Sequence, residues 1–224
     1  MIKNYMPCHG QNYGIGRTQA IKYLVIHYTA NDGDTAQGNA NYFNRRVTQT
    51  SAHYFVDEQD TIWQSVKEQD TAWHCGAKSY KHPHCRNQNS IGIELCSRRD
   101  AVGGYYFKKQ TILNAAELAR ELMEKYSISI DRVIRHYDVT GKICPAPFVN
   151  DERQWAEFKK MLNKEEEIED MKRYNTVKEI PEWGKATVER LLENQYLSGE
   201  DTGLNLSEDM LRILVINDRA GLYI

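Results

Sequence analysis

The sequence predicts an α/β domain, a mixed β-sheet flanked by helices, followed by a small helical C-terminal module. Three observations carry this reading. Apolar runs of strand length alternate with stretches of helical spacing through the first two thirds of the 224 residues. A polar run, KEEEIEDMK at 164–172, then breaks the pattern. Beyond it lie two short helical patterns separated by a glycine-containing acidic loop. Strands alternating with helices pack as a sheet covered by helices. The predicted boundaries are therefore a body at 1–163, a linker at 164–172 and a module at 173–224.

Taken in order, Tyr23, Leu24, Val25 and Ile26 form a buried strand that ends at His27. Asp34 and Gln37 resemble a capping box and open a helix through Tyr42, Phe43 and Arg46. Ala52–Val56 and Thr61–Gln64, joined by the polar turn DEQD, read as a hairpin. Residues 74–90 are crowded with turn formers and predict an ordered surface loop. Ile91, Ile93 and Leu95 alternate with Gly92 and Glu94, so a half-buried strand would send Glu94 to the face opposite the isoleucines. Ile112, Ala115, Ala116, Ala119, Leu122, Met123 and Tyr126 recur at helical spacing, and Trp155 and Phe158 sit on a closing helix. In the module, Pro181 starts a helix carrying Val188, Leu191 and Leu192, and Ser207 caps another holding Met210, Leu211, Leu214 and Val215.

Bulk composition narrows the function classes. No run approaches membrane-spanning length, and neither membrane nor nucleic acid is an expected partner. The beginning, MIKNYMPCHGQNYG, lacks the apolar core of a secretory signal. The five cysteines are an odd number without framework spacing, which fits a reducing compartment. Of 31 acidic and 29 basic residues, 14 and 7 lie from Glu165 onward, leaving a mildly basic body and an acidic tail. A basic body suits an anionic polymer, although a solvated lysine-rich surface would read the same way.

The chemistry concentrates in two stretches. His27 closes one apolar run, His136 closes a second containing Val133 and Ile134, and Cys144 follows after the turn at Gly141. Two imidazoles and a thiolate are a zinc ligand set that leaves a fourth tetrahedral position for water. A lone histidine at a strand end is commonly structural, so the reading rests on the three together. Bound zinc acidifies water and polarises a carbonyl, but amide hydrolysis also needs a proton acceptor and a group facing the oxyanion. Glu94 is the candidate base, with a solvated edge charge as its alternative. Lys142, two residues before Cys144, is the candidate for the oxyanion. Cys75, His82, His84 and Cys85 suggest a second cluster, but their spacing matches no common structural finger.

The motifs VIHYTAN, SAHYFVDE, TAWHCG, NSIGIEL and HYDVTGKICP occur in the order expected of the zinc-dependent N-acetylmuramoyl-L-alanine amidases, the family of phage endolysins related to the peptidoglycan recognition proteins. The resemblance covers roughly Tyr23 to Trp155. It implies zinc (Zn2+) held by His27, His136 and Cys144, Glu94 as acid/base, Lys142 as transition-state stabiliser, and cleavage between muramic acid and the first alanine of the peptidoglycan stem. His53 stands where many relatives have tyrosine, and Tyr54 follows it, so either ring is a candidate for the substrate cleft. His74 and Asn89 are further cleft candidates. Several relatives have aspartate where this chain has Cys144. Loss of that ligand accompanies binding without cleavage in recognition proteins, the main rival reading. A bacterial autolysin or sporulation amidase would share the chemistry; the expected setting is a phage endolysin, held in the host cytoplasm before release to the wall.

The module weakly resembles one S-layer homology motif, a wall-polymer binder that works in sets; a helical appendage packed on the body is the competing reading. A single copy suggests that a homo-oligomer completes the set. Glu165, Glu166 and Glu167 are necessarily encoded by purine-rich codons, at a distance from Met171 that suits ribosome binding. An internal start there would supply free C-terminal fragments.

Overall fold

The structure is a computed structural model describing residues 2–163, 173–199 and 203–223. It divides into two compact units, Met1–Asn163 and Lys164–Ile224. The proposed linker at 164–172, with Met171, lies outside the described residues.

In the first unit the apolar runs build a six-stranded mixed sheet. Tyr23–Tyr28 runs parallel to Ser90–Leu95 on one side and to Val133–Arg135 on the other. Ser90–Leu95 continues to Tyr54–Val56, which forms the hairpin with Thr61–Gln64. Ile2–Tyr5 adds a parallel edge strand that the sequence did not announce, because its four residues are exposed and carry no apolar alternation.

Strand alternation sorts side chains between the two faces. Leu24, Ile26, Ile91, Ile93 and Leu95 point to one face, where they pack with Ala115, Leu118 and Leu122 of α2 (Lys109–Tyr126) and with Phe158 of a later helix, Glu152–Met161. The other face carries Tyr23, Val25 and Ile134, covered by Cys75 and Cys85 of the 74–90 loop. Ser90–Leu95 is therefore an interior strand buried on both sides, not the half-buried strand its alternation predicted. Glu94 still faces away from the isoleucines.

Helix α1 (Ala36–Arg45) is capped by Thr35, whose Oγ1 accepts from the Gly38 N–H at 3.0 Å. Asp34 does not cap it. That carboxylate accepts from Asn39 at 2.6 Å and lies 3.7 Å from Arg98, while Asp57 accepts from the Ala36 N–H.

The second unit has a core of its own. Arg173–Tyr174 pairs antiparallel with Leu206–Ser207, and helices Glu182–Glu193 and Glu208–Arg219 pack Val188 against Leu211 beside Tyr174 and Ile180. Gly184 permits the close approach, since a Cβ there would lie 2.9 Å from the Leu211 side chain. Ser207 caps the last helix as predicted, through Met210 N at 3.2 Å. Met210 is exposed, though, as are Ile213 and Ile216.

Glu68 ties the sheet to α2. Its buried carboxylate accepts from the Tyr54 and Tyr126 hydroxyls and from Lys125. Burial opposes its ionisation, but bonds from Lys125, Tyr126 and Tyr54 outweigh that and hold the carboxyl below the usual glutamate range. Glu68→Ala strands the buried Tyr54 hydroxyl and should cost roughly 1–3 kcal/mol in urea unfolding at neutral pH. Because the folded pKa is depressed, this contribution is present above the unfolded value and vanishes as pH falls through the folded one. The gap between wild type and variant should therefore narrow below about pH 4; a gap independent of pH would contradict the ionised role.

Candidate metal and catalytic centre

The parallel register of the two central strands sets His27 beside Glu94. Both point to the face opposite α2, with His27 Nδ1 4.0 Å from Glu94 Oε1. His136 arrives from the neighbouring strand as the first residue of α3 (His136–Thr140). Asp138 fixes that start by accepting from Arg135 N at 2.9 Å. Gly141, at φ +84°, ends the helix in a left-handed conformation that suits glycine. The chain then doubles back so that the Cys144 carbonyl accepts from Tyr137 N at 2.8 Å. Cys144 Sγ thereby lies 3.7 Å from His27 Nδ1.

One donor atom each from His27, His136 and Cys144 falls within 4.8 Å of the others, and all three residues are buried. It is the only such group found among the described residues. Burial, with the neighbouring His136 and His74, pushes the His27 imidazole well below its ordinary pKa. Burial likewise lowers His136 to about 4 and raises the Cys144 thiol to about 12. Both rings are thus neutral lone-pair donors. His136 Nδ1 and Glu94 Oε2 are buried with no hydrogen-bond partner. Orphaned polar atoms of this kind cost about 1–3 kcal/mol each unless something satisfies them. A dication among these donors would compensate the orphaned nitrogen and ionise the thiol, so the residues present fit a nitrogen–nitrogen–sulfur metal set.

Burial also raises Glu94 to about 8, Lys142 opposing the shift and Asp34 adding to it. The cluster lies between two cavities. One, of about 850 Å³, is lined by Tyr28, Asn31, Asp34, Tyr42 and Phe55 together with Glu94 and Lys142. The other, of about 630 Å³, is lined by Trp73, His74, Lys78 and Asn87 together with His136 and Lys142. Lys142 borders both.

The structure does not bring every cleft candidate to the cleft. His53 is completely buried, its Nδ1 accepting from Gly92 N at 3.0 Å and its Nε2 2.7 Å from Arg17. Tyr54 is core, with its hydroxyl committed to Glu68. Asn89 is spent on the loop, donating to Gln19 and to the His84 carbonyl and accepting from Arg86 N. Position in the fold explains all three: Tyr54 starts an interior strand, His53 immediately precedes it, and Asn89 is the buried last residue of a 3-10 turn. His74 does border a cavity, but it also stands behind His27, with Nδ1 3.0 Å from His27 Nε2. Cys75, His82, His84 and Cys85 do not come together as a donor group among the described residues. The two cysteines pack with Tyr23 and Val25, and His82 Nδ1 accepts from the main-chain N–H of His84 and Cys85. Sequence reasoning missed Ser90 and Phe55 as neighbours of the site, although both lie within the motifs it singled out.

Residues 17–147 match the N-acetylmuramoyl-L-alanine amidase family. The amidase CwlL of Bacillus licheniformis is 34% identical over 73% of this chain and 46% of its own length. A second B. licheniformis protein, a probable N-acetylmuramoyl-L-alanine amidase, is 36% identical over 73% of this chain and 47% of its own. The chain thus spans about half the length of the curated relatives it matches. Among solved structures, the catalytic domain of XlyA is 30% identical with a TM-score of 0.58, covering 72% of this chain and 98% of that one. A mutant endolysin from Bacillus subtilis gives the same identity and TM-score over 72% of this chain and 97% of its own. With a family match across more than half its residues and this fold around the cluster, the chain belongs to the N-acetylmuramoyl-L-alanine amidase family.

Proposed function

We propose that this chain hydrolyses peptidoglycan at the amide joining the lactyl carbonyl of N-acetylmuramic acid to the nitrogen of L-alanine, with zinc held by His27, His136 and Cys144. The carrying observation is the buried three-donor cluster with the Glu94 carboxyl 4.0 Å from His27, opening between two cavities. Zinc bound there supplies a Lewis acid that polarises the scissile carbonyl and acidifies water. Glu94, 4.0 Å from His27, accepts a proton from the attacking water and returns it to the departing alanine nitrogen. Lys142, on the rim shared by both cavities, faces the oxyanion with its ammonium. A full donor set including Cys144 favours cleavage over binding alone. A similar structure named as an endolysin supports a lytic enzyme, for which we infer a phage origin and a place in the host cytoplasm before release to the wall.

One zinc ion per chain should be found by metal analysis, and chelator should abolish digestion of purified cell walls. Cys144→Ser should lose metal and activity together. Zinc retained by that variant would remove Cys144 from the ligand set.

Glu94→Gln should keep zinc and fold while losing roughly two to four orders of magnitude in rate, the scale of a positioned acid or base. Lys142→Ala should depress turnover with zinc retained. The readout is release of alanine amino termini from walls; near-normal rates in both variants would refute these roles.

For the second unit we infer binding of a wall polymer, assisted by further copies. Its support is the apolar surface of Ile213 and Ile216 on the last helix, which a second copy would cover. Expression should yield a second band beginning at Met171 that co-purifies with the full chain. A lone full-length monomer, unchanged by Met171→Leu, would dispose of the idea.

A further inference from the structure

We propose that His74 is a positioning residue whose hydrogen-bond relay, anchored on a main-chain carbonyl, fixes His27 in the tautomer that offers Nδ1 to the metal. This rests on the zinc reading above and adds the groups that prepare the ligand.

The direction of the relay follows from its far end. The Arg86 carbonyl can only accept, and Ser90 Oγ lies 2.7 Å from it, so the single hydroxyl proton of Ser90 points there. With that proton committed, Ser90 Oγ acts as acceptor toward His74 Nε2, 3.1 Å away, which places the His74 proton on Nε2. His74 Nδ1 is then left as the acceptor, and His27 Nε2 donates to it across 3.0 Å. The His27 proton is thus fixed on Nε2. Its Nδ1 keeps a lone pair facing Cys144 Sγ at 3.7 Å and Glu94 Oε1 at 4.0 Å. Reversing the relay would put a proton on Nδ1 inside the cluster and cancel the donor.

Packing holds the ring in place. A Cβ at Gly92 would lie 2.5 Å from His74 Cγ, so the strand carries glycine where the imidazole crosses it. Asn87 Oδ1 accepts from His74 N at 3.2 Å, and the His27 and His74 rings meet edge to face at 5.1 Å. One strand, Ser90–Leu95, thereby supplies the relay's hydroxyl, the space for its ring and the proposed acid/base on a single face. His74 lies outside the three-donor cluster, so it acts through His27.

The test uses the full chain, with zinc affinity measured by chelator competition and ring-nitrogen chemical shifts recorded for metal-free protein. Wild type should show the His27 proton on Nε2. His74→Ala and Ser90→Ala should each weaken zinc binding about tenfold to a hundredfold, the usual loss when a ligand's outer hydrogen bond is removed. His74→Gln, whose amide can accept from His27 and donate to Ser90, should recover most of the affinity, as should Ser90→Thr. A destabilised fold alone would not produce this rescue, and the tautomer measurement needs no variant. Wild-type affinity in both alanine variants, or a proton on His27 Nδ1 in the metal-free protein, would overturn the relay and leave the zinc reading standing. Failure of wild type to bind zinc would overturn both.

Discussion

Parallel pairing of Tyr23–Tyr28 with Ser90–Leu95 is the constraint on which the rest of the first unit depends. Side chains on a strand alternate, so a single register places His27 and Glu94 side by side on one face. It sends Leu24, Ile26, Ile91 and Ile93 together to the other. A slip of one residue would turn one of the two strands over, separating His27 from Glu94 and sending a polar group under α2. The apolar core therefore specifies the geometry of the centre: the free energy that buries the far face also fixes the spacing of histidine and glutamate on the near one.

Burial then sets the chemistry. The near face is closed by the 74–90 loop and by the turn that carries Cys144, so His27, His136 and Cys144 lie out of water while Lys142 stays at the rim. Low dielectric keeps the two imidazoles neutral, as donors need to be, and raises the thiol and Glu94. A dication held by the three donors would oppose the rise of the thiol and of Glu94. Metal affinity at these donors would thus be coupled to the free energy of folding.

Much of this was legible in the sequence because it depends on local pattern. The strands ending at His27 and containing Glu94, the long α2 and the Ser207 cap all follow from periodicity and capping chemistry. What the sequence left open is tertiary. Asp34 reads as a cap until Arg98 and Asn39 are folded against it. His53 and Tyr54 lie beside cleft motifs, but only the sheet order shows that both are interior. The bond between His74 and His27 joins residues 47 positions apart, and no spacing rule connects them.

The second unit obeys a different balance. Its core of Tyr174, Ile180, Val188, Leu206 and Leu211 is small, and a unit of this size buries a low fraction of its surface. Yet its last helix turns Leu211 and Val215 inward while leaving Ile213 and Ile216 exposed at 58% and 64%. Apolar groups on both sides of one helix are a poor design for an isolated domain and a good one for a surface that is covered in use. The hollow beside Ile216 is lined by Trp183, Val215 and the two arginines Arg212 and Arg219, so the apolar surface carries positive charge at its edge. A contact that buried the isoleucines would also have to accommodate these two guanidiniums, which suits a partner of fixed geometry better than general stickiness.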